Sequence, residues 1–157
     1  MSALCATAAV LALFSAGTLH PAARTPSAEQ QMLDLTNGAR ADAGCPPLRL
    51  NTDLGEAATG HSADMAHRNF FDHTGSNGSQ PAGRTSAAGY PGDYIGENIA
   101  AGYDSAEVVF QKWMDTAVHR GNILDCKFTD LGIGHVDVPS SQFRVYWTQD
   151  FGRPPIR

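Results

Sequence analysis

The stretch YIGENIAAGY, residues 94 to 103, alternates like a buried strand yet carries Glu97 at its centre. A carboxylate taken out of water needs a cation, hydrogen-bond donors or a proton, so partners must come from elsewhere in the chain. The histidines are the natural candidates: His20, His61, His67, His73, His119 and His135. His61 and His67 lack the i, i+4 spacing of a zincin ligand pair, and no HExxH occurs. His61 shares a stripe with Leu54, Ala58 and Met65 and reads as a core residue, and His67 reads as solvated. His135, two places before Asp137, reads as part of an outward polar edge. His73 in FFDHTG and His119 in VHRGNIL stand at element ends, where side chains converge on open sites. Glu97 between these two imidazoles is either a carboxylate held by charge-assisted hydrogen bonds or the acid of a two-histidine, one-carboxylate site for Zn²⁺ or another divalent ion. Spacing alone does not choose this pair over the other histidines.

The elements that must position these residues follow from periodicity. SAEQQMLDLTNGARADAG opens with Ser27 and Gln30 at capping-box spacing, keeps Met32, Leu35 and Ala39 on one face and stops at Gly44, which predicts a first helix. CPPLRLN is an extended bridge because of Pro46 and Pro47. Residues 51 to 69 repeat at helical spacing and give a second helix, followed by a loop-rich segment with at most a short helix. After the Glu97 strand, DSAEVVFQKWMDTA predicts a long helix capped by Asp104 and Glu107, with apolar stripes through Val109 and Trp113 and through Phe110, Met114 and Ala117. LGIGHVDV and FRVYWTQDF alternate with period two and read as a hairpin, Phe143, Val145, Trp147 and Phe151 marking one face of its second strand. The pattern is α+β, a small sheet covered by helices.

A chain of 157 residues supports one domain with a real core. Residues 1–23 read as a secretory signal peptide, with cleavage after Gly17 or Ala23, and 24–157 as the domain. The apolar run is too short to span a bilayer comfortably, so no stable membrane span is expected once the leader is removed, an uncleaved anchor being the alternative. The formal net charge of −5 leaves nothing basic to hold nucleic acid by charge. Cys5 falls in the leader, so an exported chain keeps Cys45 and Cys126, which are expected to form one disulfide. In the loop-entropy model that closure is worth about 4 to 5 kcal/mol at most.

HSADMAHRNFFDHTG, GENIAAGY, WMDTAVHRGNIL, FTDLGIGHV and YWTQDFG stand in the order and spacing of the CAP superfamily. These are the cysteine-rich secretory, antigen and pathogenesis-related proteins, also called SCP-like, and the chain most resembles their bacterial secreted branch from about Ser27 to Gly152. The resemblance implies a three-layer α-β-α sandwich with a small antiparallel sheet and a central cleft. His73 matches the family's first cleft histidine, Glu97 the acid of the GEN motif and His119 the second histidine. Where animal and plant members carry a second glutamate, this chain has Thr116, so a mechanism needing paired acids lacks its obvious second member.

These readings favour a secreted binding module over an enzyme. Its cleft would be floored by His73, Glu97 and His119, lined by Trp113, Tyr146 and Thr116, and would take a small hydrophobic, lipid or peptidic ligand. The alternatives are a Zn²⁺-dependent hydrolase using His73, Glu97 and His119 and a structural cell-envelope protein in which the trio is a polar staple.

Overall fold

Polar caps start the long helices. In the computed structural model, which describes residues 25–155, Ser27 accepts from the Gln30 amide to open α1 (Ala28–Asp42) and Asn51 from the Leu54 amide to open α2 (Thr52–Arg68). Such caps are each worth about 1 kcal/mol. Asn69, in the left-handed region at φ 54°, closes α2. Ser105, not Asp104, caps α4 (Ala106–Asp115), because Asp104 lies one residue too early and faces Arg144 at 3.4 Å instead. The expected long helix is interrupted: Thr116 is extended, and the chain restarts as the short α5 (Ala117–Ile123). One further short helix, α3 (Pro81–Ala87), begins on a proline in the loop-rich segment.

The sheet contains β1 (Arg49–Leu50), β2 (Tyr94–Ala101), β3 (Asp130–Asp137) and β4 (Val145–Arg153) in the order β1-β3-β4-β2. β4 pairs antiparallel with both β2 and β3, whereas β1 runs parallel to β3. The sheet is therefore mixed rather than purely antiparallel. The reason is local: the proline-stiffened bridge runs alongside the start of β3, where the Arg49 and Asn51 amides bond the Thr129 and Leu131 carbonyls.

Successive β4 side chains show the sandwich. The Thr148 hydroxyl meets Ser62 of α2 at 2.8 Å, and the next residue, Gln149, meets Thr36 of α1 at 2.9 Å. On the α1 and α4 side the core holds Met32, Val109, Trp113, Leu131, Trp147 and Phe151. On the α2 side a smaller cluster holds Met65, Ala66, Ile99 and Tyr146. There α2 lies directly on β3 because Gly132 and Gly134 are bare: a Cβ at either would run into the backbone of Leu54 or Ala58. β1 pairs only with Asp130 and Leu131, so among the described residues His135 lies on the part of β3 that β4 alone pairs, half-buried with its ring against Trp147 at 4.1 Å. Phe143 lies before β4 and is exposed rather than sharing the face of Val145, Trp147 and Phe151.

Cys45 and Cys126 are disulfide-bonded, as expected. Beside them the fully buried Arg40 donates to the carbonyls of Pro46, Ile123, Asp125 and Phe128. Bond and guanidinium together tie the end of α1 to the turn after α5. The signal-peptide reading falls on residues 1–23, of which 25–155 includes none. Among the described residues no helix is long and apolar enough to cross a membrane.

Candidate functional site

β2 is an edge strand, and Glu97 projects from it with its side chain only 2 % exposed. Two donors meet its carboxylate. His73 Nδ1 lies 2.6 Å from Oε1, and Arg84 Nη2 donates to Oε2 at 2.5 Å. Charge-assisted bonds of this kind are about twice as strong as neutral ones. Arg84 reaches in from α3 and is steadied by a second bond from Nη1 to the Ser79 carbonyl. His73 sits on the loop after α2, and that loop is held by His61, which donates from Nε2 to the Asp72 carbonyl at 2.9 Å. His61 is thus a buried positioning residue, in line with the core reading, and His67 is solvated as expected.

His119 arrives by a different route. Asn122 of α5 donates to the Glu97 carbonyl at 3.1 Å and to Asn98 Oδ1 at 2.9 Å, while Asn98 donates back to the His119 carbonyl at 3.2 Å. These amides stitch α5 along the open edge of β2. The His119 ring is half-buried and makes no hydrogen bond to Glu97, whose carboxylate is met by His73 and Arg84. Its Nδ1 is buried without a hydrogen-bond partner. The expected trio therefore resolves into a bonded His73–Glu97–Arg84 group with His119 alongside.

His119 lines a cavity of about 350 Å³ with Phe71, Ile99, Trp113, Thr116 and Phe143, and Lys112 and Tyr103 complete its wall. Trp113 and Thr116 stand where the sequence placed them. Tyr146 does not: it is fully buried against Met65 and Ile99 on the α2 side, and its hydroxyl accepts from the Phe143 amide. Phe143 takes the place expected of it, because the backbone turns out of β4 two residues before Val145.

The electrostatics divide the two histidines. Burial pushes the Glu97 carboxyl up, but the His73 bond and the charge of Arg84 outweigh it and hold the group below the usual range. The bond to Glu97 raises His73 against a smaller opposing effect of burial. Burial lowers His119, and the neighbouring charge of His73 lowers it further.

Among the described residues the side chains of His73, Glu97 and His119 are not gathered as a three-ligand metal site. Glu97 stands behind His73 as its hydrogen-bond partner and gives its other oxygen to a guanidinium, whose charge repels a cation. Among the described residues no three His, Cys, Asp or Glu side chains are gathered to hold an ion. An open zinc site needs three protein ligands, so the His73, Glu97 and His119 ligand set is not formed.

Arg84 was absent from the expected site, although it is the one Lys or Arg between Arg68 and Glu97, which is the signal that could have found it. Asn98 and Asn122 carry no such signal, since their work is between elements.

Residues 33–151 match the model of the CAP (cysteine-rich secretory protein) family. YkwD of Bacillus subtilis (strain 168) is 36% identical over 123 residues, covering 78% of this chain and 46% of that protein. An extracellular SCP-domain protein of Bacillus anthracis superposes with a TM-score of 0.72 at 32% identity, over 80% of this chain and 40% of that one. A cysteine-rich secretory protein of Staphylococcus aureus shares the fold at a TM-score of 0.64 and 20% identity, over 84% and 40% of the two chains. The chain thus spans less than half the length of each of these three relatives. With its α-β-α sandwich and its match over residues 33–151, the chain belongs to the CAP family.

Proposed function

We propose that this CAP domain is an exported binding module that takes a small hydrophobic, lipid or peptidic ligand in the cleft along β2. The observation that carries this is the cavity of about 350 Å³, walled by Phe71, Trp113 and Phe143, with the polar Lys112, Thr116 and His119 also in its lining. Apolar walls with a few polar groups are the usual composition of a ligand site. Phe71 and Phe143 are 46% and 38% exposed and stack edge to face at 6.2 Å, so the apolar wall is open to solvent. Export is supported by the disulfide and by the extracellular and secretory descriptions of the Bacillus anthracis and Staphylococcus aureus relatives.

A larger concavity of about 680 Å³ lies by Leu50, Gly55 and Ile133, at the β1 edge of the sheet, and contains none of the site residues. Titration with the fluorescent probe anilinonaphthalene sulfonate separates the two. We expect Phe143→Asp to abolish the saturable signal and Leu50→Asp to leave it in place. The opposite pattern moves the binding site to the β1 edge. No saturable uptake by the wild type, together with an empty extract by mass spectrometry, leaves the site as a staple of the fold.

A further inference from the structure

Glu97 has a neighbour that neither ligand binding nor its two donors explains. In the β2–β4 register Glu97 is directly paired with Asp150, so both side chains leave the sheet on the same face. Asp150 is completely buried, and neither of its carboxyl oxygens has a hydrogen-bond partner. An ionised carboxylate in that position, with no donor, is too costly to keep its charge.

None of the charged and titratable groups around it bonds Asp150. From β2 comes Glu97. From α3 comes Arg84, whose Nη2 is spent on Glu97 and Nη1 on the Ser79 carbonyl, while its buried Nε is unpartnered. From α2 comes His61, whose Nε2 is spent on the Asp72 carbonyl and whose buried Nδ1 is unpartnered, and from the following loop His73, spent on Glu97. β3 presents Gly132 at the matching position and so adds no charge. Two adjacent buried carboxyls do not both ionise, and the one with the better donors keeps the charge. Glu97 has two donors and Asp150 has none.

We propose that Asp150 is the second acid of this site, held as the neutral carboxylic acid and donating its proton to the Glu97 carboxylate. The pair carries one negative charge and one proton. Glu97 then accepts from three groups, His73, Arg84 and Asp150, on three different elements. Burial and the negative charge of Glu97 both push Asp150 well above the ordinary aspartate range, consistent with this assignment. The inference does not depend on what the cleft binds.

The sign of the linkage gives the test. A carboxyl whose folded pKa is raised contributes fully below its unfolded value, and that contribution is lost as pH rises through the folded value. Asp150→Asn mimics the neutral acid and has no proton to take up on folding. Urea unfolding of the full chain, wild type against Asp150→Asn, is therefore expected to show the ratio of unfolding constants moving about tenfold per pH unit between pH 5 and 7 in favour of Asn. A ratio independent of pH overturns the proposal. The second readout is the His73 titration by NMR: it stays in place in Asp150→Asn when Asp150 is neutral and falls when an ionised Asp150 has been removed. The third needs no variant. The Asp150 carboxyl ¹³C shift in the wild-type protein is expected to remain at its protonated value through pH 7, and a carboxylate shift at pH 7 refutes the assignment even where the Asn variant does not fold.

Discussion

The two histidine sites beside β2 solve opposite problems with the same residue type. At one, His73 is held by Glu97, and Glu97 by Arg84, so the imidazole favours its charged form. At the other, His119 sits beside Trp113, Phe71 and Phe143 with an unpartnered Nδ1, and favours its neutral form. The fixed site is bonded before any ligand arrives. The apolar site keeps unused polar capacity and open hydrophobic surface, which is what recognition requires.

The contrast is broken most severely by removing Arg84. Arg84→Met leaves the buried Glu97 with one fewer donor and no permanent cation, and we expect a loss of about 3 to 5 kcal/mol in urea unfolding. A loss near zero means that the guanidinium does not hold the carboxylate. Glu97→Gln sharpens the comparison without deleting volume. In NMR titrations the wild-type protein should show His73 above and His119 below the ordinary value near 6.5. The Gln variant should bring His73 down, since its acceptor charge has gone, and move His119 less. Parallel shifts at both histidines are the outcome that removes the distinction.

The same two groups give opposite pH dependence of stability. The raised His73 contributes below its unfolded pKa, and this is lost as pH rises through the folded value. The lowered His119 contributes above its unfolded pKa, and this is lost as pH falls through the folded value. His73→Ala should therefore lessen the fall in stability on the alkaline side, and His119→Ala the fall on the acid side, each read from denaturation midpoints between pH 5 and 8. The smallest effect on stability belongs to Phe143→Asp. This exposed residue should shift stability by no more than about 1 kcal/mol while removing probe binding at the apolar site.

Legibility in the sequence followed the range of the interaction. Ser27 was readable as a helix start because a cap acts on an amide three residues away. The Cys45–Cys126 bond was readable because the sequence after residue 23 holds no other cysteine. Glu97 announced a need for partners by its type alone, and the family resemblance brought His73 forward. Arg84 stayed hidden among serines, glycines and alanines, since nothing in its own segment says that α3 folds against β2. Tyr146 was misplaced because alternation gives two faces of a strand without saying which one meets open solvent.

The amino-acid sequence by itself determined most of the elements, the disulfide partners and the presence of a buried acid that had to be neutralised. Only the tertiary structure decided that the neutralising groups are His73 and Arg84, that His119 stands apart over an apolar cavity, and that Asp150 lies paired beside Glu97. The reason is that the cost of burying a charge is a property of the residue, whereas the choice of partner depends on distances between segments far apart in the chain, over which charge and hydrogen bonding fall away within a few ångströms.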